Sequence, residues 1–136
     1  ATFPGVRKYM DAVVEKARET GFVETLFHRR RDLPELTSSN RNLRAFGERV
    51  ALNMPIQGTA ADIMKLAMIA VWKRLKGEHP DARLVLQVHD ELIVECPEEE
   101  QGRVCALVEE EMERVISLSV PLLAETSAGK SWADAH

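Results

Sequence analysis

Nowhere in its 136 residues does this chain carry an apolar run approaching the ~18 consecutive residues that span a bilayer. Its N-terminal stretch also lacks the charged-then-apolar order of a secretory leader. A soluble, intracellular protein is the expectation. Cysteine is scarce as well: Cys96 and Cys105 stand without CxxC spacing or neighbouring histidines, so they read as unpaired thiols of a reducing compartment. No GxxxxGK[ST], GxGxxG, HExxH or GxSxG string occurs, which removes the motif-based case for a P-loop, a dinucleotide fold, a zincin or a serine hydrolase. Repeats, low-complexity segments and Gly/Ser linkers are absent too. There is no large excess of charge of either sign, and a net charge of -4 argues, as an average, against a nucleic-acid partner.

What is present is the raw material of one globular domain, with 45% hydrophobic residues. The average charge hides a split. Residues 1–60 hold 10 Lys and Arg against 7 Asp and Glu, whereas residues 61–136 hold 8 against 15. A basic N-terminal half facing phosphates and two ordinary solvated faces of opposite sign both fit this pattern.

Pro4 followed by Val6, Tyr9, Met10, Val13, Val14 and Ala17 has helical spacing, and Gly21 supplies a stop, which predicts a helix over 4–20. Phe22 to Phe27 reads as a short strand, and with His28-Arg29-Arg30-Arg31 it suggests a small hairpin with a basic tip. Asn40-Arg41-Asn42 is suited to cap a helix carrying Leu43, Phe46 and Val50, which Pro55 should interrupt or kink. A second helix is expected over 57–76, closed by Gly77. Arg83 to Val88 and Glu91 to Cys96 are strand-like and separated only by His89-Asp90, a hairpin spacing without the usual glycine. Pro97 and Glu98 to Glu100 give a proline at the first helical position and an acidic first turn for a helix running through Val115. Val120 to Thr126 reads as a last strand, with Gly129 and Trp132 in a closing turn. The order indicates an α+β class, with helices packed on a small antiparallel sheet.

Two constellations carry chemistry. In Leu86-Gln87-Val88-His89-Asp90-Glu91-Leu92-Ile93-Val94, three titratable groups stand at a hairpin tip between strands apolar enough to be buried on both faces or nearly so. A carboxylate on such a water-poor edge calls for a cation, and a divalent metal is the usual one; a solvated polar turn is the bland alternative. Arg49, Asn53 and Gln57 fall at i, i+4 and i+8, one helix face of donors, if Pro55 only kinks the helix. Beside them, Gly58, Thr59, Ala60 and Ala61 permit close approach of a ligand or of another backbone. Arg29, Arg30 and Arg31 suit phosphate contact but equally a merely exposed loop.

At these residues the chain resembles a known family. Glu48-Arg49-Val50-Ala51-Leu52-Asn53-Met54-Pro55-Ile56-Gln57-Gly58-Thr59-Ala60-Ala61-Asp62, followed by Gln87-Val88-His89-Asp90-Glu91-Leu92, is similar to the palm segment and motif C of family A DNA polymerases. The resemblance extends to Thr25-Leu26-Phe27 with the arginine run, and to Val120-Pro121-Leu122, Gly129, Trp132 and Ala135-His136. It implies template-directed DNA synthesis, with Asp90 as one of two aspartates holding catalytic Mg2+ and Glu91 in a supporting role. His89 would lie near the primer terminus, and Arg49, Asn53 and Gln57 would line the primer-template. The partners implied are primer-template DNA, dNTP and the rest of a polymerase chain, without a membrane, in the nucleoid-associated cytoplasm of a bacterium.

The same resemblance divides the chain into a tail of the fingers over 1–40 and a C-terminal part of the palm over 41–136. It places the family's other aspartate and its nucleotide-gripping helix upstream of Ala1, so this piece by itself is not expected to polymerise. Two readings from other classes compete. A non-catalytic duplex-binding module would need no metal for its function, and a helical interaction domain would show no salt-dependent affinity for duplex DNA.

Overall fold

A computed structural model describes residues 3–136. The chain divides into two compact units, Ala1–Asp62 and Ile63–His136, and the boundary falls inside one continuous helix. Among the described residues the class is α+β: three α-helices and two separate two-stranded antiparallel sheets.

In the first unit, α1 (Pro4–Thr20) begins with proline in its first turn and ends at Gly21, whose φ of 84° is the left-handed conformation a C-terminal cap requires. The Gly21 amide donates to Ala17 O at 2.8 Å, so the stop signal in the sequence works as written. Strands β1 (Phe22–Glu24) and β2 (Arg30–Asp32) pair Phe22 with Asp32, Val23 with Arg31 and Glu24 with Arg30. Both are shorter than the predicted Phe22 to Phe27 run, because Thr25 ends the ladder. Its hydroxyl accepts from the amides of Phe27 and Arg29 at 3.2 and 3.1 Å and builds a turn instead. A 3-10 turn (Pro34–Thr37) follows. Ala17, Val23, Leu33, Leu36 and Ala51 form the core of this unit, with Val13, Val50 and Met54 packed against it.

The long helix α2 (Arg41–Glu78) starts where the sequence says it should. Asn40 Oδ1 accepts from the Asn42 amide at 2.9 Å, and Asn40 O accepts from the Arg44 amide at 3.0 Å. Of the two outcomes expected at Pro55, the interruption does not occur; the helix runs through it for 38 residues. An interior proline costs a helix roughly 3 kcal/mol, so something must hold both flanks. On one side, Ala51 is fully buried and Met54 lies against the core. On the other, Thr59 Oγ1 donates to Pro55 O and accepts from the Leu26 amide at 2.9 Å, stapling the helix to the turn after β1.

The second unit builds its core from Val71, Leu75, Ala82, Val104, Leu107 and Val108, with Leu84, Leu92, Val94, Cys96 and Met112 packed onto it. The end of α2 and helix α3 (Gln101–Arg114) thus cover one face of the sheet formed by β3 (Arg83–Val88) and β4 (Glu91–Glu95). This is the helix-on-sheet layer the sequence predicts. Register runs from Arg83 with Glu95 and Leu84 with Val94, then skips Val85 to Leu86 with Ile93, Gln87 with Leu92 and Val88 with Glu91. Val85 is therefore a bulge.

Three expectations need correction here. The strands are not buried on both faces: Val85 is 57% and Leu86 47% exposed, because only one side of the hairpin meets the core. Pro97 does not occupy the first helical position but precedes a 3-10 turn (Glu98–Glu100) that leads into α3. And Val120 to Thr126 is no strand. Its backbone is held by side chains of α3 instead of a ladder: Glu113 Oε1 accepts from the Ala124 amide at 3.0 Å, and Glu109 Oε1 from the Thr126 amide at 3.1 Å and its hydroxyl at 2.8 Å.

A charge knot fastens α2 to α3. Arg74 donates to both oxygens of Glu78 at 3.1 and 3.2 Å, to Glu110 at 2.8 Å and to Glu111 at 3.0 Å, while Arg114 pairs with Glu110 at 2.6 Å. Hydrogen bonds from Glu78, then Glu110 and Glu111, push the Arg74 guanidinium above its ordinary range. In return Arg74 holds the Glu78 and Glu110 carboxyls below theirs.

Candidate active site and nucleic-acid face

Val88 pairs with Glu91, so the β3–β4 hairpin closes through only two residues, His89 and Asp90. The tightest hairpins need a left-handed residue in the loop, and here His89 adopts it, with φ 52°. For a non-glycine residue this costs roughly 1–2 kcal/mol. Gln87 Nε2 donates to His89 O at 2.9 Å, bracing the strained peptide. The histidine therefore does structurally what the missing glycine would do, and leaves an imidazole at the tip.

His89, Asp90 and Glu91 are all exposed. The water-poor edge read from the sequence is absent from this chain, since the strands present one face to solvent. Desolvation within it therefore does not compel a counter-cation. What the hairpin offers is two adjacent carboxylates on a stiff two-residue turn, hard oxygen donors of the kind Mg2+ prefers. Among the described residues no group of three His, Cys, Asp or Glu side chains converges as a complete metal site. The donor chemistry fits a magnesium ion, but the chain supplies only part of a coordination sphere. Glu91 Oε1 has a neighbour: His136 Nε2 lies 3.2 Å away.

In the first unit, Arg49, Asn53 and Gln57 share one side of α2, because the helix stays continuous through Pro55, and all three are exposed. Successive members are four residues apart, a net rotation of about 40° each at 3.6 residues per turn, so the row drifts only slowly around the helix. The hairpin trio and this row lie in different units, each coherent within its own.

Of the two close approaches that the small residues after Gln57 permit, a ligand or another part of the chain, the structure shows the second at Gly58. A Cβ on Gly58 would sit 2.8 Å from Thr25 Cγ2, so the close approach there is to the 25–29 turn of the chain itself. Arg29 completes that joint, donating through Nε to Asp62 Oδ1 at 2.8 Å and through Nη2 to Gly58 O at 3.1 Å. Arg30 is likewise engaged, bonded to Asp32 at 2.8 Å and stacked 3.7 Å over the Phe22 ring. Two of the three arginines at the basic tip thus have partners inside the unit. No local signal marks the Arg29–Asp62 pair, whose members are 33 residues apart.

Among the described residues no helix is long and apolar enough to cross a membrane. The model of DNA polymerase family A matches residues 1–134. The chain is 56% identical over 135 residues to DNA polymerase I of Geobacillus stearothermophilus, covering 99% of this chain and 15% of that protein. With DNA polymerase I of Bacillus subtilis it shares 53% over 134 residues, 98% of this chain and 15% of the relative. Among solved structures, it superposes with a TM-score of 0.94 on the POL domain of Pol1 from M. smegmatis in complex with DNA primer-template and dNTP. There the identity is 50%, and the match covers 98% of this chain and 24% of that one. The chain thus spans about 15% of the length of these curated relatives, and by sequence and by structure it belongs to DNA polymerase family A.

Proposed function

We propose that this chain is the catalytic C-terminal portion of a template-directed DNA polymerase, joining dNTP to a primer 3'-hydroxyl, with residues 1–40 ending the fingers and 41–136 completing the palm. The observation that carries this reading is the exposed Asp90-Glu91 pair on the rigid β3–β4 turn of a family A chain. Asp90 would hold Mg2+, with Glu91 beside it and a further carboxylate supplied by the rest of the polymerase. When bound, two such ions offset the charge of the triphosphate and of the attacking and leaving oxygens.

The remaining work is positioning. His89, held at the tip by its own strained turn, would lie near the primer terminus and steer it. Arg49, Asn53 and Gln57 present donors to the minor groove, whose N3 and O2 acceptors recur in every correct pair, so contacts there test pairing geometry without reading sequence. A polymerase requires that indifference. Such a chain would work in the cytoplasm of a bacterium, on replication and repair intermediates.

Asp90→Ala in the complete polymerase tests the assignment. Single-turnover incorporation should fall by more than about a thousandfold, ~4 kcal/mol of transition-state stabilisation, with duplex affinity within a few-fold of wild type. Incorporation within about tenfold of wild type would remove Asp90 from the reaction.

A further inference from the structure

The segment after α3 folds into a compact knot at residues 127–136, apart from the residues assigned to the reaction. Ser131 O accepts from the amides of Asp134 and Ala135, both at 3.1 Å, and Ser131 Oγ donates to Asp134 Oδ2 at 2.8 Å. Ser127 Oγ donates to Ala135 O, closing the loop from its other end. The loop closes only around a glycine: a Cβ on Gly129 would come within 2.7 Å of the Asp134 backbone and side chain. Upstream, Glu109 and Glu113 fix Thr126 and Ala124 to α3, so the knot hangs from the same helix that covers the sheet.

The product of these contacts is a pair of rings. Trp132 and His136 meet edge to face, centroids 5.8 Å apart at 81°, and His136 Nε2 lies 3.2 Å from Glu91 Oε1. The histidine side chain is 55% and the glutamate 46% exposed, so the contact adds little to stability. Its place beside the carboxylate bears on which rotamers Glu91 can adopt. A glutamate beside a water-facing turn samples several rotamers; one whose carboxylate meets a ring held by a tryptophan and a braced loop samples fewer.

We infer that His136, oriented by Trp132, is a positioning residue for Glu91: it holds that carboxylate in one orientation beside Asp90 while touching neither DNA nor nucleotide itself. This rests on the polymerase reading of Asp90 and Glu91. Its consequence is kinetic and confined to turnover.

The test is a double-mutant cycle in the full-length polymerase, reading the single-turnover rate, the apparent Kd for dNTP and the Kd for primer-template. His136→Ala should lower the rate by about three- to tenfold, with both binding constants within about twofold. His136→Gln, which keeps a side-chain N–H donor, should recover most of the rate. In a Glu91→Ala background, His136→Ala should cause no further loss, because its only route to the reaction is gone.

Unchanged turnover in His136→Ala, independent losses in the double variant, or a loss of duplex affinity with the rate intact would overturn the proposal; the last would make His136 a DNA contact. Asp90→Ala run alongside separates the two claims. If it retains activity the polymerase reading fails, whereas if it is dead and the cycle is additive only the role of His136 does.

Discussion

Two tight turns in this molecule each place a histidine in the left-handed region, His28 at φ 63° and His89 at φ 52°, and they are built in opposite ways. Around His28 the polar groups are turned in on one another, although the imidazole itself is exposed. The Thr25 hydroxyl takes two turn amides, His28 Nδ1 lies 2.9 Å from Glu24 Oε2, and Arg29 reaches Asp62 and Gly58 O. At His89 one side-chain bond, from Gln87 to the backbone, braces the turn, and the histidine and two carboxylates stand in solvent. Polar density in sequence is similar at both places. The difference is how far the rest of the unit engages them: the first turn is tied to Asp62 and Gly58, whereas at the second His136 meets Glu91 and the His89 and Asp90 side chains face solvent. A basic run is thus an architectural joint, and a turn that reads as merely solvated is the candidate centre.

The inward turn should fail by packing. Gly58→Ala drives a methyl group to 2.8 Å from Thr25 Cγ2, whose threonine is pinned by its two hydroxyl bonds. A loss of about 1–3 kcal/mol is expected, read as a lower midpoint of thermal unfolding in the complete polymerase. Gly77→Ala, also in α2 but with nothing within 4 Å, is the control and should be neutral or stabilising by up to about 1 kcal/mol. Equal effects at both positions would mean that the joint is not tight.

The outward-facing groups should fail by function. Arg49→Ala and Gln57→Ala are expected to slow extension from matched termini by about tenfold, ~1.4 kcal/mol each, and to change mismatch discrimination. A panel of primer-templates should show no dependence on template sequence, since the minor-groove acceptors do not encode it. Sequence-selective defects would place these side chains elsewhere.

Much of the frame beneath both turns is legible in sequence because its signals are local. Gly21 stops α1 and Asn40 caps α2 by contacts within four residues. Pro55 misleads for the opposite reason: what keeps α2 whole there is the core around Ala51 and the Thr59 contact with Leu26, both set by distant chain. Val120 to Thr126 is apolar enough to read as a strand, yet its Ala124 and Thr126 amides go to Glu113 and Glu109, which no periodicity foretells. For the site, the residue types at 49, 53, 57, 89, 90 and 91 can be picked out in advance, but their solvent exposure cannot. The contact of Glu91 with His136 links positions 45 apart and leaves no local mark.

A smaller effect separates the scaffold of the second unit from its turn. Arg74 holds Glu78 and Glu110 below the ordinary carboxylate range, so their stabilising contribution is present above about pH 4.3, the unfolded value, and is lost as pH falls through their lowered folded values. Arg74→Ala should therefore lower the thermal midpoint at neutral pH and shrink the difference from wild type on acidification below about pH 4. Incorporation at neutral pH should change little. A pH-independent deficit would assign the role of Arg74 to packing of its stem.

The smallest expected effect compares the two turns most directly. His28→Gly and His89→Gly each relieve a left-handed strain while adding freedom to the unfolded chain, so stability should move by no more than about 1 kcal/mol in either. Only His89→Gly should slow incorporation. If His28→Gly slows it as much, the distinction between joint and site collapses.

The bulge at Val85 has a consequence for how such a hairpin tolerates changes in length. Because Val85 is the unpaired residue, a chain shorter by that one position would pair Leu84 with Val94 and Leu86 with Ile93 on consecutive rungs. The core face and the His89-Asp90 loop would both survive. A deletion at 86, 87 or 88 would instead have to be absorbed by the bulge or by the loop, at the risk of a one-residue slip that exchanges the two faces of the strand. Position 85 is thus a phase buffer, the place where this strand can lose a residue while its carboxylates stay where they are.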